Sequence, residues 1–293
     1  MTAPEKCEKP PWLKITLPSP EGYARVHALV EKHRLHTVCR EAACPNQWEC
    51  GAGNTATFLI LGPHCTRGCR FCNIARRPPA PPDPGEPERV AQAALDMGLR
   101  YVVVTSVTRD DLPDGGAARF SETIAALRRK IPGVRVEVLI PDFGGQQEAL
   151  ETVVAARPDV INHNVETVGR LYPSVRPEAD YHRSVDVIRR VALMNPRIVT
   201  KSGMMLGMSE GKNEVESVIF DLVDAGCRLF TAGQYLPPSK FHLPVSRYVH
   251  PDEFASWQAF AIEAGFAAAA AGPFVRSSYQ AEKMFLTAIC NLS

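Results

Sequence analysis

The sequence predicts a protein of the α/β class with a mainly parallel sheet. From residue 55 onward, six short runs of apolar and β-branched residues alternate with six helical stretches. The apolar runs are almost continuously hydrophobic, which is typical of parallel strands covered on both faces. Six consecutive βα units fit either an open barrel or a doubly wound sheet, and hydrophobic periodicity does not choose between the two.

Each predicted element follows from its local pattern. The predicted strands are Thr57–Leu61, Tyr101–Thr105, Arg135–Ile140, Val160–His163, Val199–Met205 and Leu229–Tyr235. The predicted helices are Glu86–Met97, Ala117–Lys130, Gln146–Ala156, Tyr181–Met194, Lys212–Ala225 and Pro251–Ala264. In the first helix, the residues expected on one apolar side are Val90, Ala94, Leu95 and Met97. Several helices end at a glycine that can act as a C-cap, such as Gly98 and Gly226.

The six units divide the chain into three predicted parts. Residues 1–54 form an N-terminal arm, residues 55–266 carry the βα units, and residues 267–293 form a C-terminal tail. Arg76–Pro87 contains six prolines and is expected to be a stiff, extended connection. The tail begins with a short alanine run, Ala267–Ala271, to which no strand is assigned.

Composition narrows the function classes. The chain has 293 residues, 45% of them hydrophobic, and a formal net charge of +1. This balance argues against nucleic acid or an anionic membrane as a partner. No N-terminal apolar run follows a basic stretch, and no segment reaches the roughly 20 apolar residues that span a bilayer. We therefore expect a cytoplasmic protein, or an organelle-matrix protein if a transit peptide precedes it.

Nine cysteines indicate metal or redox chemistry in a chain of this length without an export signal. Six of them cluster between Cys39 and Cys72. Cys7, Cys227 and Cys290 are isolated, and we interpret them as small buried residues or surface thiols.

The first cluster is Cys65-x3-Cys69-x2-Cys72, in the loop after the first predicted strand. Active sites of α/β folds are built at this end of the βα units. Three thiolates in a tight loop can hold an iron–sulfur cubane and leave one iron open to a substrate. A zinc site with a fourth ligand such as His64 is the alternative.

The second cluster is Cys39-x4-Cys44-x5-Cys50, in the arm. Its spacing differs from the first, so it is not a repeat of that loop. Three thiolates here predict a second cluster whose fourth ligand comes from elsewhere in the chain. A structural zinc knuckle is the alternative, although proximity to the first cluster favours a functional pair.

The cysteine loop closing on Phe71 resembles the radical S-adenosylmethionine (SAM) superfamily. Within it, the chain is similar to the lipoyl synthase family over about Pro10 to Glu282. The matching segments are Lys9–Lys14, Thr37–Cys50, Thr55–Gly62, Thr105–Gly116, Asn162–Thr167, Gly233–Leu236 and the Arg-Ser-Ser-Tyr motif in Val275–Tyr279. The chain departs from the family pattern at Thr108, Gly169 and Met208-Ser209, where the family favours aspartate, proline and leucine-glycine.

The resemblance implies the fold of a partial (β/α)6 TIM-type barrel, with an auxiliary cluster site carried by the arm and the tail. It implies two 4Fe–4S clusters and SAM as cofactors. The open iron on Cys65, Cys69 and Cys72 is expected to chelate SAM, whose reductive cleavage yields a 5′-deoxyadenosyl radical.

The implied reaction is insertion of two sulfur atoms at carbons 6 and 8 of a protein-bound octanoyl-lysine. The cluster on Cys39, Cys44 and Cys50 is expected to be consumed as the sulfur donor. Its implied fourth ligand is Ser278, with Ser277 as the less favoured choice. A hard alkoxide is a poor match for a soft sulfide cluster, which suits a labile, sacrificial corner.

The resemblance also implies the residues that bind SAM. Asn164 and Glu166, one residue apart at the end of the fourth strand, are expected to share a side and bind the ribose hydroxyls. An internal hydrogen-bond network is the alternative. The further candidates are Thr105 and Ser106 for the methionyl group, Lys201 at the end of the fifth strand for its carboxylate, and Arg176, Arg247 and Arg276 for carboxylates of the cofactor or the carrier.

Other polar residues receive structural interpretations. Asp110, Asp111 and Asp114 are expected to cap helices and turns before the Gly115-Gly116 pair. His163 and His242 are likewise expected to be structural.

The implied partners are an octanoylated lipoyl carrier domain, such as glycine cleavage H protein or a 2-oxoacid dehydrogenase lipoyl domain, and reduced ferredoxin or flavodoxin. Two other hypotheses stay open on the residues alone. One is a different sulfur-inserting radical enzyme, similar to biotin synthase or a methylthiotransferase. The other is a non-enzymatic cluster or zinc carrier that only stores or transfers electrons.

Overall fold

A computed structural model describes residues 9–14, 20–52 and 56–292, so Cys7 lies outside the described residues. Eight strands form one sheet in the order β1-β2-β5-β6-β7-β8-β9-β10, and β3 and β4 form a separate pair. The strands are β1 His36–Thr37, β2 Thr57–Ile60, β3 His64–Cys65, β4 Ala75–Arg76, β5 Tyr101–Ser106, β6 Arg135–Leu139, β7 Val160–Asn162, β8 Val199–Leu206, β9 Leu229–Gln234 and β10 Ala268–Gly272.

The helices alternate with these strands as the sequence predicts. They are α1 Pro20–Lys32, α2 Val38–Glu41, α3 Gln47–Ala52, α4 Glu86–Asp96, α5 Ala117–Lys130, α6 Gln147–Ala155, α7 Tyr172–Val175, α8 Tyr181–Met194, α9 Lys212–Asp224, α10 Pro251–Ala264 and α11 Ala281–Leu292. The six predicted strands and six predicted helices are confirmed to within about one residue at each end. No helix within the described ranges is long and apolar enough to cross a membrane.

Two strands of the eight-stranded sheet, β1 and β10, were not predicted from the sequence. The arm contributes β1, which pairs antiparallel with β2. The alanine run of the tail forms β10, which pairs in parallel with β9 from Ala268 to Gly272. Alanine has low β-propensity, so this strand depends on its neighbour in the sheet and not on local preference.

Side chains on the inner face of the sheet favour a partial barrel over a doubly wound sheet. Tyr101 of β5, Val160 of β7, Leu229 of β9 and Ala268 of β10 belong to one buried cluster. Strands far apart in the sheet order, β5 and β10, share this cluster, as expected of a sheet that curls around it. Helix α11 adds Phe285 and its apolar neighbours to this cluster, at the end where the strands begin.

The structure corrects the position of Lys201. This residue is the third of β8, which continues to Leu206, so the prediction that Lys201 ends its strand is wrong. Its ammonium is fully buried and lies 2.8 Å from Glu137, which also accepts a hydrogen bond from Tyr101 at 2.7 Å. This network lies below the mouth of the barrel, which leaves no support for Lys201 as a ligand of the SAM carboxylate.

Candidate active site

The Cys65–Cys72 loop begins where β2 reaches the mouth of the barrel. Leu61 and Gly62 both have positive φ, which turns the chain sharply after the strand. The β3–β4 pair then closes the base of the loop, with Cys65 opposite Arg76. Inside the loop, the Cys72 amide donates to the Cys69 carbonyl at 3.0 Å.

A buried arginine holds this loop to the barrel. Arg67 is 7% exposed, and its guanidinium donates to both carboxylate oxygens of Asp110 at 2.7 and 2.8 Å. It also lies 2.8 Å from the buried carboxylate of Asp142. Burial disfavours the charge on Asp142, but Arg67 outweighs burial and lowers the pKa of that carboxyl to about 2. The loop is therefore clamped to the segments that follow two strands, β5 and β6.

The other side of the loop is held by the segment after β9. His242 Nε2 lies 3.1 Å from the carbonyl oxygen of Cys72, and its Nδ1 lies 2.9 Å from Ser239 Oγ. The Leu243 amide donates to the Arg70 carbonyl at 3.2 Å. His242 is structural, as predicted, and the structure it supports is the cysteine loop.

The second cysteine triplet lies in the arm on α2 and α3. The Cys44 amide donates to the Cys39 carbonyl at 3.1 Å, and the Cys50 amide donates to the Asn46 carbonyl at 2.9 Å. Asn46 Nδ2 in turn donates to the carbonyl of Phe274 in the tail at 2.6 Å. The arm triplet is therefore tied to the segment that carries the Arg-Ser-Ser-Tyr motif.

Burial raises the pKa of thiols in both triplets. Burial, followed by the charges of Cys39 and Cys44, raises the pKa of Cys50 to about 12. Burial is also the main cause that raises the pKa of Cys72 to about 12, with smaller contributions from its two partner cysteines. Mutually repelling thiolates in a buried site are stabilised by a positive metal core.

Within the described ranges, no three His, Cys, Asp or Glu side chains form a group that could hold a metal ion by themselves. A cubane is wider than one ion and supplies its own bridging sulfides, so its thiolate ligands lie farther apart than those of a single metal.

Asn164 and Glu166 lie at the mouth, beyond the end of β7. Asn164 Nδ2 donates to Glu166 Oε1 at 3.1 Å, so the prediction that the two side chains share a side is confirmed. Glu166 has φ of 63° and forms a parallel bridge to Met204, which extends the pairing past the regular strand. The buried Asn164 Oδ1 has no hydrogen-bond partner among the described residues. This pair therefore presents one carboxylate and one unsatisfied amide oxygen to a ligand.

Two half-buried arginines interact with Glu166. Arg176 donates to the carbonyl of Asn164 at 3.0 Å and lies over the ring of Tyr172 at 5.3 Å. Burial disfavours its charge, but Tyr172, Glu166 and Cys69 outweigh burial and raise the pKa of Arg176. Burial lowers the pKa of Arg276 in the tail, although the charges of Cys44 in the arm and Glu166 at the mouth both oppose this shift. Burial raises the pKa of Glu166 in spite of the two cations.

Tail residue Ser277 reaches the same site. Its Oγ lies 2.6 Å from Asn164 Nδ2, within the hydrogen-bonded pair described above. Ser278 makes no hydrogen bond to any described residue. Tyr279 returns to the arm, where its hydroxyl donates to Glu49 at 2.8 Å. The tail thus contacts the barrel mouth through Ser277, and it contacts the arm through Phe274 before this serine and Tyr279 after it.

Of the remaining residues predicted to bind SAM, some already have hydrogen-bond or ion-pair partners in the protein and one does not. Thr105 Oγ1 donates to the Leu139 carbonyl at 2.8 Å, whereas the buried Ser106 Oγ has no partner within the described ranges. Arg247 binds the carboxylate of Glu253 at 2.7 Å, so it is not available at the mouth.

The three aspartates after β5 differ in their contacts, because one caps a helix and two form ion pairs. Asp114 caps α5 through the amides of Gly116 and Ala118, as predicted. Asp110 and Asp111 instead bind Arg67 and Arg109, a role that the turn pattern did not indicate. Asp142 was missed altogether, because its partner lies 75 positions away in the chain and no local pattern links the two.

Comparison with known proteins decides the family. A family model of the radical SAM superfamily matches residues 59–222, a range that includes the cysteine loop and the Asn164–Glu166 pair. A lipoyl synthase of Nitratidesulfovibrio vulgaris strain DP4 is 53% identical over 97% of this chain and 94% of the relative. The chain belongs to the lipoyl synthase family. Membership confirms the predicted radical SAM enzyme class, the lipoyl synthase function and the predicted cofactors, 4Fe–4S clusters and SAM.

Further relatives agree. Lipoyl synthases of Caldanaerobacter subterraneus subsp. tengcongensis and Chlorobaculum parvum are each 54% identical over 94% of this chain, covering 96% and 94% of their own lengths. These similarities give no support to the other sulfur-inserting enzymes or to a non-enzymatic carrier.

Solved structures of low sequence identity share only the fold of this chain. HydG, a maturase of the FeFe hydrogenase, is 14% identical with a TM-score of 0.57, covering 83% of this chain and 53% of its own. SuiB of Streptococcus suis, in a structure bound to SAM, is 10% identical with a TM-score of 0.56, covering 70% of this chain and 46% of its own.

Proposed function

We propose that the chain inserts sulfur at carbons 6 and 8 of an octanoyl group carried on a lysine of a lipoyl carrier domain. The observation that carries this proposal is the position of the tail. Ser277 bonds to Asn164 at the barrel mouth, while the adjacent Phe274 and Tyr279 bond to the arm that carries the second triplet. One short segment therefore joins the two sites that this reaction requires.

The Cys65–Cys72 loop is proposed to bind the radical cluster. When bound, the clusters and SAM supply an electron, a 5′-deoxyadenosyl radical and the sulfur atoms. The chain's own residues hold, orient and enclose these groups. Arg67 and His242 keep the loop in place, and Cys65, Cys69 and Cys72 would hold the cluster there.

Asn164 and Glu166 are proposed to bind the ribose of SAM. The unpartnered Asn164 Oδ1 accepts one ribose hydroxyl, and the Glu166 carboxylate accepts the other. Ser106, whose buried Oγ lacks a partner, is proposed to contact the methionyl group together with Thr105. Arg176 is assigned a positioning role, because it donates to the Asn164 carbonyl.

The auxiliary cluster is proposed to lie on Cys39, Cys44 and Cys50, with Ser278 as its fourth ligand. The engagement of Ser277 with Asn164 supports this choice, because that hydroxyl already has a partner. The Ser278 hydroxyl has none among the described residues and is the one left to coordinate iron.

The finer assignments around this reaction are proposals as well. The carrier is an octanoylated H protein or a 2-oxoacid dehydrogenase lipoyl domain, and the electron donor is reduced ferredoxin or flavodoxin. We place the enzyme in the cytoplasm, acting without nucleic acid or membrane. We retain the division into an arm at 1–54, a barrel at 55–266 and a tail at 267–293, with β10 of the tail completing the barrel sheet.

Iron analysis tests the cofactor content. Anaerobically purified protein is expected to hold about eight irons per chain with matching sulfide. Stoichiometric zinc with little iron would refute both cluster assignments.

Two cysteine variants test the division of labour. With SAM, reductant and an octanoyl-lysine peptide, Cys69→Ala is expected to abolish deoxyadenosine formation. Cys44→Ala is expected to retain deoxyadenosine formation but to lose sulfur insertion. Sulfur insertion by Cys44→Ala at the wild-type level would contradict the donor role of the arm triplet.

A pair of serine variants tests the fourth ligand. Mössbauer spectra of Ser278→Ala are expected to lose the signature of the oxygen-ligated iron, whereas Ser277→Ala keeps it. The reverse result would move the ligand to Ser277.

A further inference from the structure

An exposed aromatic side chain stands beside the cysteine loop. Phe241 is 86% exposed, more than any other large hydrophobic residue in the described part of the chain. It lies at the C-terminal end of the strands, in the segment after β9, where the mouth of the barrel opens. A large apolar side chain left in water at an active-site mouth marks a place where a partner binds.

This side chain is presented on a fixed support. The Phe241 amide donates to Ser239 Oγ at 3.2 Å, and the same hydroxyl bonds to His242. His242 continues to the carbonyl of Cys72 at 3.1 Å. Three hydrogen bonds therefore link the backbone of Phe241 to a proposed cluster ligand, so the segment that carries the ring is held in place before a partner binds.

The charges at this rim are positive. The Lys240 ammonium lies over the Phe241 ring at 5.2 Å. Arg70 and Arg77 are exposed on either side of Cys72, and neither has a carboxylate partner within the described ranges. The Leu243–Arg70 backbone bond joins the arginine side of the rim to the Phe241 segment.

The acidic side chains near this rim are already paired. Asp110 binds Arg67, and Glu178 binds Arg76 at 2.8 Å. The positive charges of Lys240, Arg70 and Arg77 are therefore not neutralised, although the net charge of the whole chain is only +1. An aromatic anchor with a cation at its ring, and with further exposed cations in the adjoining cysteine loop, is complementary to a protein surface with an apolar recess and acidic edges.

We propose that Phe241, with Lys240 and Arg70, docks the octanoylated carrier domain by an acidic surface around its modified lysine. This inference rests on the proposed function, because it names the face by which that carrier approaches. A carrier held here brings its lysine arm to the mouth between the cysteine loop and Asn164. The docking surface acts on the carrier body, so a short peptide bearing the same octanoyl-lysine does not use it.

The test compares two substrates with one variant. Phe241→Ser is assayed anaerobically with dithionite as reductant, once with an octanoylated carrier domain and once with an octanoyl-lysine peptide. We expect kcat/KM for the carrier to fall roughly 10- to 100-fold, the range of an interface hot spot. We expect kcat/KM for the peptide to stay within about twofold of wild type.

Leu193→Ser is the matched control. Leu193 is 78% exposed at the C-terminal end of α8, on the opposite side of the barrel from the mouth, and is expected to leave both substrates unaffected. Lys240→Glu is expected to weaken the carrier reaction and to reduce its dependence on salt, again without changing peptide turnover. Iron content and the unfolding midpoint of each variant verify that it is intact.

Three outcomes overturn the docking surface. They are an unchanged carrier reaction, an equal loss with carrier and peptide, and a loss that appears only when flavodoxin replaces dithionite. The last would assign this rim to the electron donor. If the wild-type enzyme converts neither substrate, the proposed function itself fails, and that result is distinct from all three.

Discussion

The clamp on the cysteine loop can be tested by removing one charge. In Asp142→Asn the side chain keeps its shape and can still accept the Gly144 amide at 3.1 Å, but it no longer carries the charge that faces Arg67. Arg67 is then left largely buried with only the half-exposed Asp110 as a counter-ion. Breaking a buried pair from one side is destabilising, because the remaining charge has lost part of its compensation.

The pKa of Asp142 sets the magnitude. It falls from an ordinary 3.8 to about 2, which corresponds to about 2 to 3 kcal/mol at 1.36 kcal/mol per pKa unit. The folded pKa lies below the unfolded value, so this stability is fully present above about pH 4. It is lost as the pH falls from about 4 towards 2. The variant is therefore expected to be less stable than wild type by about 2 to 3 kcal/mol at pH 7 and to approach it in acid.

Urea unfolding of the cluster-loaded proteins at pH 7 measures the difference. The control is Glu216→Gln, which removes the same charge from a surface pair with Lys212 and is expected to cost at most about 0.5 kcal/mol. The double variant with Arg67→Met is expected to be less than additive, because the two residues share one interaction. A cost for Asp142→Asn equal to that of Glu216→Gln would refute the clamp.

Three further predictions concern the barrel and the tail. Ser209 has φ of 82°, so Ser209→Gly is expected to raise the free energy of unfolding by about 1 kcal/mol in urea titrations. Lys201→Met leaves the Glu137 carboxylate buried without its cation and is expected to cost about 3 to 5 kcal/mol in the same titrations, much of it recovered by adding Glu137→Met. In Gly233→Ala the new Cβ overlaps the Val275 carbonyl, so the tail is displaced and product analysis is expected to show deoxyadenosine without sulfur insertion.

Local sequence patterns were sufficient for the secondary structure and for the cysteine sites. Continuous apolar runs predict buried parallel strands because both faces of such strands are covered, and the observed β5 and β8 begin at the predicted residues. The two cysteine triplets were equally accessible, because all three members of each lie within one short segment.

The strand formed by the alanine run shows where local patterns fail. Nothing in Ala268–Gly272 favours extended backbone, and the strand exists because β9 offers it an unpaired edge. The curl of the sheet is likewise a property of several strands together. It brings Tyr101 of β5 and Ala268 of β10, which are far apart in the chain, into one buried cluster.

The sequence by itself therefore determined the α/β class, the order of the elements, the two cysteine triplets and, through its resemblance, the family. Only the tertiary structure showed that Arg67 binds Asp142, that Lys201 is enclosed with Glu137, and that Ser277 meets Asn164. The physical reason is the distance along the chain over which each kind of interaction acts. Hydrophobic periodicity and ligand spacing act over a few residues, whereas these contacts join positions that become neighbours only after the sheet has closed.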